Sequence, residues 1–309
     1  MKKFQVTILG SSAALPAHNR NLSAQVVNYR DRLFLVDCGE GTQMHLKKYG
    51  IKSGRINHIF ISHLHGDHFY GLIGLISSFH LLGRTEPLHI YGPPKLDEII
   101  NLQLEVSNTT LLYPLFFHLT RTDLPEEIFN DGRIRVTTIP LLHRVPTTGF
   151  LFEELPQPRK LLREAADRYG VPVTAFEGIR MGNDFIDEDG QVIPNRELTA
   201  ESDPCRSYAY CSDTGYHEPL AGLVKGCTLL YHEATFMQDK IEAARERQHA
   251  TAADAATIAR MAGAGKLLLG HFSARYDNLE PLLAEAKAIF ENTELTEDGA
   301  TYEIKAGGE

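Results

Sequence analysis

The 309-residue chain has no tryptophan, four cysteines and no repeat or low-complexity tract. Cys38, Cys205, Cys211 and Cys227 are scattered and form no CxxC pair, which excludes a disulfide scaffold and leads us to expect free thiols in a reducing compartment. No stretch approaches the ~18 apolar residues that a membrane span needs. Positive charge is also scarce: 31 Lys and Arg stand against 40 Asp and Glu, a net of −9, which excludes a protein basic all over but not a local basic patch. Hydrophobic residues at 43% and charged residues at 23% exclude a disordered or collagen-like chain. The start, Met1-Lys2-Lys3 before FQVTILGSSAALPA, imitates a signal peptide. Polar residues interrupt its apolar run, however, and FQVTIL alternates as a strand does, so the expected location is cytoplasmic.

Strand patterns occur at 3–9, 23–29, 32–37, 58–62, 88–91, 133–139, 207–212, 227–232 and 266–271. Helical patterns follow some of them, at 69–82, 94–106, 250–262 and 280–290, with Thr251 and Asp254 spaced as a capping box for the third. Clustered strands followed by alternating strands and helices predict a layered α/β architecture. The expected organisation is one domain over 1–309 carrying an inserted arm at 156–198. In that arm the buried-strand look gives way to charges, prolines and glycines, with a short helix expected over 159–169.

The chemistry is concentrated in Ser62-His63-Leu64-His65-Gly66-Asp67-His68. Imidazole nitrogens and a carboxylate are the donors that a borderline cation such as Zn²⁺ prefers. An extended backbone projects His63 and His65 to one side. Asp67 and His68, past the turn at Gly66, can then face a second ion about 3.5–4 Å from the first, as in two-metal hydrolytic sites. Two ions need further donors, and His143, Asp213 and His271 each stand at the end of a predicted strand, where α/β folds gather their active sites.

These residues, with LVDCGEGTQ around Asp37, SDTG, HEATF, HATA and GHFSARY, resemble the metallo-β-lactamase superfamily and, within it, the ribonuclease Z family of tRNA 3′-processing endonucleases. The resemblance runs from the GSSAALPAHNRN loop to Tyr276. It implies an αββα sandwich with a protruding arm and two zinc ions at one edge. One ion would be held by His63, His65 and His143, the other by Asp67, His68 and His271, with Asp213 bridging. It further implies Asp37 behind a ligand histidine, and His249 with Glu233 as a proton-handling pair. As a mechanistic hypothesis beside that resemblance, Asp67 would accept a proton from water, and Arg275 would either contact a substrate phosphate or serve as a surface salt-bridge partner. The implied substrate is precursor tRNA, the implied assembly a homodimer, and the alternative reading a small-molecule phosphodiesterase of the same superfamily. Two departures stand out: HAT replaces the family's HST, and VPVTAFEGIRMG replaces its glycine-proline motif in the arm. With six bases against eight acids the arm is also net acidic, whereas phosphate binding favours a basic surface.

Overall fold

The computed structural model describes residues 3–306, so Met1 and Lys2 of the basic start lie outside it. The chain divides into two compact units, one built from residues up to 130, 134–153 and 206 onward, the other from 131–133 and 154–205.

The larger unit contains two seven-stranded sheets. One runs in the order Thr301–Glu303, Phe4–Gly10, Ala24–Tyr29, Arg32–Val36, Ile56–Phe60, Leu88–Gly92, Leu115–Leu119. The other runs Thr293–Leu295, Leu267–Gly270, Leu229–Glu233, Ser207–Cys211, Thr148–Glu154, Ile134–Pro140, Glu127–Asn130. Strand periodicity assigns the faces: Val27, Phe34 and Val36 turn toward the second sheet, while Val26, Leu33 and Leu35 turn toward helices. Between the sheets, Phe60 meets Phe150 at 5.4 Å and Phe34 meets Phe152 at 5.8 Å between ring centroids. Helices Leu72–Leu81 and Leu96–Val106 bury Leu75, Ile76 and Ile100 on the outer face of the first sheet. Ala252–Ala262 covers the second with a stripe of Ala252, Ala255, Ala256 and Ala259, whose small side chains permit close approach. The result is an αββα sandwich.

The Thr251–Asp254 capping box is present in both directions, with Thr251 Oγ1 accepting from the Asp254 amide at 3.1 Å and Asp254 Oδ2 from the Thr251 amide at 2.9 Å. Thr251→Ala is expected to lower the denaturant midpoint by the equivalent of about 0.5–2 kcal/mol, measured by urea unfolding.

Several expectations need correction. The helix expected over 69–82 is two pieces, Gly66–Phe69 and Leu72–Leu81, because the chain turns at Gly71, where a Cβ would lie 2.1 Å from the carbonyl oxygen of Gly39. The strand expected over 58–62 is Ile56–Phe60, since the Ser62 amide bonds to the Asp37 carboxylate instead of to a neighbouring strand. Strand 227–232 is shifted to Leu229–Glu233, which places Glu233 on the sheet. Strand Thr148–Glu154 was not foreseen, nor were the edge strands Leu115–Leu119 and Glu127–Asn130.

The smaller unit has its own core of Ala166, Val171, Ile179, Ile193 and Leu198. Two short ladders frame it, Lys160–Leu161 with Thr199–Ala200 and Phe185–Ile186 with Val192–Ile193. Its first helix is Arg163–Arg168, shorter than the 159–169 expected because Lys160 and Leu161 pair as a strand. Cys38, Cys211 and Cys227 are buried free thiols. Among the described residues no helix is long and apolar enough to cross a membrane.

Candidate metal centre and active site

Parallel pairing brings the carboxyl ends of several strands to one edge of the larger unit. Asp37 follows Arg32–Val36, His63 follows Ile56–Phe60 by three residues, and His143 follows Ile134–Pro140. Asp213 lies just beyond Ser207–Cys211, Glu233 ends Leu229–Glu233, and His271 adjoins Leu267–Gly270. Asp37, Asp213 and His271 adopt left-handed φ values of 56°, 49° and 57°. Aspartate and histidine tolerate that region better than most side chains, and such strain persists only where surrounding contacts over-determine it.

Two groups of donor atoms form among the described residues, and a third overlaps them, in which His249 joins Asp213 and His271. His63 Nε2 lies 3.0 Å from His65 Nδ1 and 3.5 Å from Asp213 Oδ2, and His143 Nε2 lies 3.3 Å from His65 Nδ1 and 3.6 Å from Asp213 Oδ2. In the second group His68 Nε2 and His271 Nε2 are 3.3 Å apart, each 3.5 Å from Asp67 Oδ2. Asp213 Oδ1 reaches both, at 3.2 and 3.0 Å. Asp213 therefore faces each group with a different oxygen. Asp67 Oδ2 also accepts the Ala14 amide at 2.8 Å, from a residue that is itself at φ 63°.

Hydrogen bonds behind the rings select the inward-facing nitrogen. His68 Nδ1 donates to Asp37 Oδ2 at 2.7 Å, and His143 Nδ1 to the Gln248 carbonyl at 3.0 Å. Ser62 Oγ donates to Asp37 at 2.9 Å and so receives His63 Nδ1–H at 2.9 Å. Thr235 Oγ1 donates to Glu233 Oε2 at 2.6 Å and receives His271 Nδ1–H at 3.0 Å. With the outer nitrogens protonated and the rings neutral, lone pairs confront one another inside, at 3.3 Å between His68 and His271, an arrangement that a bound cation or a proton relieves. The donor set fits divalent metal ions.

Burial opposes ionisation of Asp213, but His271, His68 and His63 outweigh it and hold the carboxyl well below its usual range. Asp67 is held down in the same way by His68 and His271. Glu233, fully buried, accepts from the Thr214 amide at 2.7 Å, the Ala250 amide at 3.1 Å and His249 Nδ1 at 2.8 Å. Burial disfavours the His249 cation, yet the Glu233 charge and hydrogen bond prevail and raise its pKa to about 9. His249 stacks 5.7 Å from His271, and its Nε2 is left free beside the donor groups. Arg275 lies over the Phe236 ring at 5.0 Å and bonds to Ser273 Oγ, while Ser273 and Ala274 line the adjoining cleft of about 700 Å³.

Sequence reading missed Ser62, Thr235 and Tyr210, whose hydroxyls orient the site; Tyr210 donates to Asp37 Oδ2 at 2.6 Å. The available signal was a hydroxyl beside each ligand motif. Three further histidines, His58, His89 and His118, belong to no ligand motif. They lie on three adjacent strands away from the site, with His89 Nδ1 and His118 Nε2 at 2.9 Å. Their near-parallel rings, 5.2 Å between centroids, have the spacing of an end-to-end hydrogen bond.

Chelation is expected to abolish any activity of this site and to lower Tm by several degrees. A ligand at a hundredfold its Kd contributes about 2.7 kcal/mol, which its removal withdraws. Calorimetry before and after readdition of the ion checks this.

A family model described as "Anti-Pycsar protein Apyc1" matches residues 4–154. Ribonuclease Z of Bacteroides thetaiotaomicron is 50% identical over 304 residues, covering 98% of this chain and 96% of that protein. Ribonuclease Z of Bacteroides fragilis is 48% identical, covering 96% and 98%. The crystal structure of human tRNase Z, short form, superposes with a TM-score of 0.71 at 29% identity, covering 98% of this chain and all of that one. With its fold, its gathered histidines and aspartates and these relatives, the chain belongs to the ribonuclease Z family of metallo-β-lactamase-fold proteins.

Proposed function

We propose that this chain is a metal-dependent endoribonuclease that removes the 3′ trailer of precursor tRNA, leaving a 3′-hydroxyl on the tRNA and a 5′-phosphate on the trailer. The observation that carries this reading is the Glu233–His249 pair, at 2.8 Å, beside the two donor groups. A proton donor next to clustered cation ligands serves phosphodiester cleavage and has no purpose in a passive RNA-binding module. Precursor tRNA as the substrate is supported by the relatives named ribonuclease Z and tRNase Z.

The metal is proposed to be Zn²⁺, two ions per subunit, because five imidazoles and two carboxylates are donors that zinc favours. His63, His65 and His143 would hold the first ion and Asp67, His68 and His271 the second, with Asp213 shared. When bound, such ions supply Lewis acidity toward the phosphate and acidify water. In this chain Asp67 takes the proton of the attacking water, and His249, oriented and kept protonated by Glu233, gives one to the leaving 3′ oxygen. Asp37 fixes His68 in the tautomer that presents Nε2. Arg275 is a candidate phosphate contact.

The 156–198 arm is a candidate tRNA exosite. Lys160, Arg163 and Arg180 line one groove of it, although Lys160 is paired with Asp203 and Arg163 with Asp167. A homodimer in the cytoplasm completes the reading.

Purified protein of measured metal content should cut a trailer-bearing precursor tRNA once, with the ends stated. Hydrolysis of bis(p-nitrophenyl) phosphate without any precursor cleavage would instead mark a small-molecule phosphodiesterase. His65→Ala should lose metal and activity together; full zinc occupancy in that variant would remove His65 from the ligand set.

A further inference from the structure

The cleft beside the donor groups is lined by two arginines, Arg144 and Arg247, that the reading above leaves without a role. Both side chains are exposed, and neither has a hydrogen-bond or ion-pair partner among the described residues. Their neighbours differ. Arg245, on the same helix Ile241–Arg247, is held by both oxygens of Asp254 at 2.8 Å, and Arg121, Arg135 and Arg159 each pair with a carboxylate. The same cleft is lined by the carboxylates Glu40, Asp67 and Asp213, of which Asp67 and Asp213 belong to the donor groups, so Arg144 and Arg247 are the cationic side chains of its lining that a phosphate can meet.

Their backbones are fixed while their side chains are not. His143 Nδ1 bonds to the Gln248 carbonyl at 3.0 Å, which stitches the segment carrying Arg144 to the one carrying Arg247. The Gly215 amide bonds to the Leu142 carbonyl at 2.8 Å, and the His249 amide closes the helix end on the Ala244 carbonyl at 2.9 Å. Arg144 directly follows His143 and lines the same cleft as His65 and His249. Arg144 therefore borders the cleft that holds both the donor groups and the proton donor.

We propose that Arg144 and Arg247 bind backbone phosphates on the tRNA side of the scissile bond and so set the preference of this site for a polynucleotide over a single phosphodiester. The side follows from His249: the oxygen it protonates belongs to the tRNA, and Arg144 follows His143, whose ring lies 5.1 Å from that of His249. This inference rests on the nuclease reading given above.

The test uses the metal-loaded full chain with a precursor tRNA bearing a 3′ trailer. Arg144→Ala and Arg247→Ala should each lower kcat/KM on the precursor about tenfold, mainly through KM. The loss on bis(p-nitrophenyl) phosphate should be several-fold smaller, because that substrate has no flanking phosphate. The slope of log affinity against log salt should flatten by about 0.7 for each arginine removed, the value for one single-strand phosphate contact. A substrate with a neutral methylphosphonate at the linkage 5′ to the cut should slow the unaltered protein markedly and the Arg144→Ala variant little. Arg144→Lys should recover part of the loss, since it restores charge without the planar fork. Equal losses on both substrates, or an unchanged salt slope, would show that the arginines merely support the local fold and overturn the proposal. If precursor cleavage is unaffected in both variants, the proposal fails alone. If the unaltered protein hydrolyses only the small diester, the nuclease reading fails and takes the proposal with it.

Discussion

His249→Ala is expected to retain its metal and fold while losing about two to four orders of magnitude in precursor turnover, the usual worth of a positioned general acid. The fold should survive because Glu233, although it loses its ionic partner, keeps the amides of Thr214 and Ala250 and the Thr235 hydroxyl. A buried carboxylate with three donors loses about 1.5–3 kcal/mol with one charged hydrogen bond, not its whole solvation. The loss should shrink on a diester whose leaving group departs without a proton, which separates acid catalysis from general damage. Glu233→Gln tests the same pair through pH. With the carboxylate present, His249 keeps its proton until pH rises through about 9. Without it, the ring deprotonates at lower pH, so the alkaline fall in activity should move toward neutrality. An unshifted pH profile, together with normal turnover in His249→Ala, would remove the pair from the reaction.

Asp37→Ala is expected to be the most destabilising single change near the site. The carboxylate is fully buried and accepts from the Ser62 amide at 2.7 Å, Ser62 Oγ at 2.9 Å, His68 Nδ1 at 2.7 Å and Tyr210 Oη at 2.6 Å. Stranding several buried donors, at about 1–3 kcal/mol each before relaxation, consumes a large part of the ~5–15 kcal/mol that keeps a domain folded. Asp37→Asn separates chemistry from folding. Its carbonyl can still serve the Ser62 amide, but its NH₂ group then faces His68 and forces that ring to place its proton on Nε2, pointing into the donor group. Metal affinity should fall about 10–100-fold with a much smaller loss of stability. Chelator competition and urea unfolding on the two variants check both halves; an Asn variant with full metal affinity would refute the tautomer argument.

Much of the site was legible because its chemistry is packed into short motifs. HLHGDH places four donors within six residues, and His143, Asp213 and His271, each a weak signal alone, share a place at the end of a strand pattern. The capping box at Thr251 was legible for the same reason, its information lying within three residues. The break at Gly71 was not, because it depends on how near Gly39 comes from another segment. Strand Thr148–Glu154 escaped as well; its GFLFEE sequence shows no clean alternation, and pairing with Ser207–Cys211 determines it. Thr235 sits within HEATF, but nothing local says that its hydroxyl will meet a histidine 36 residues away.

The sequence by itself determined which donors exist, the order in which they come and the layered alternation that buries one face of each strand. Those properties are local, carried by side-chain type and a period of two or 3.6 residues. Only the tertiary structure decided which nitrogen of each histidine faces inward, that Asp213 presents one oxygen to each group, and that Arg144 and Arg247 look into one cleft. These depend on hydrogen bonds and strand ends brought together from distant segments. Their energies arise only when the two sheets close on each other, so no window of sequence records them.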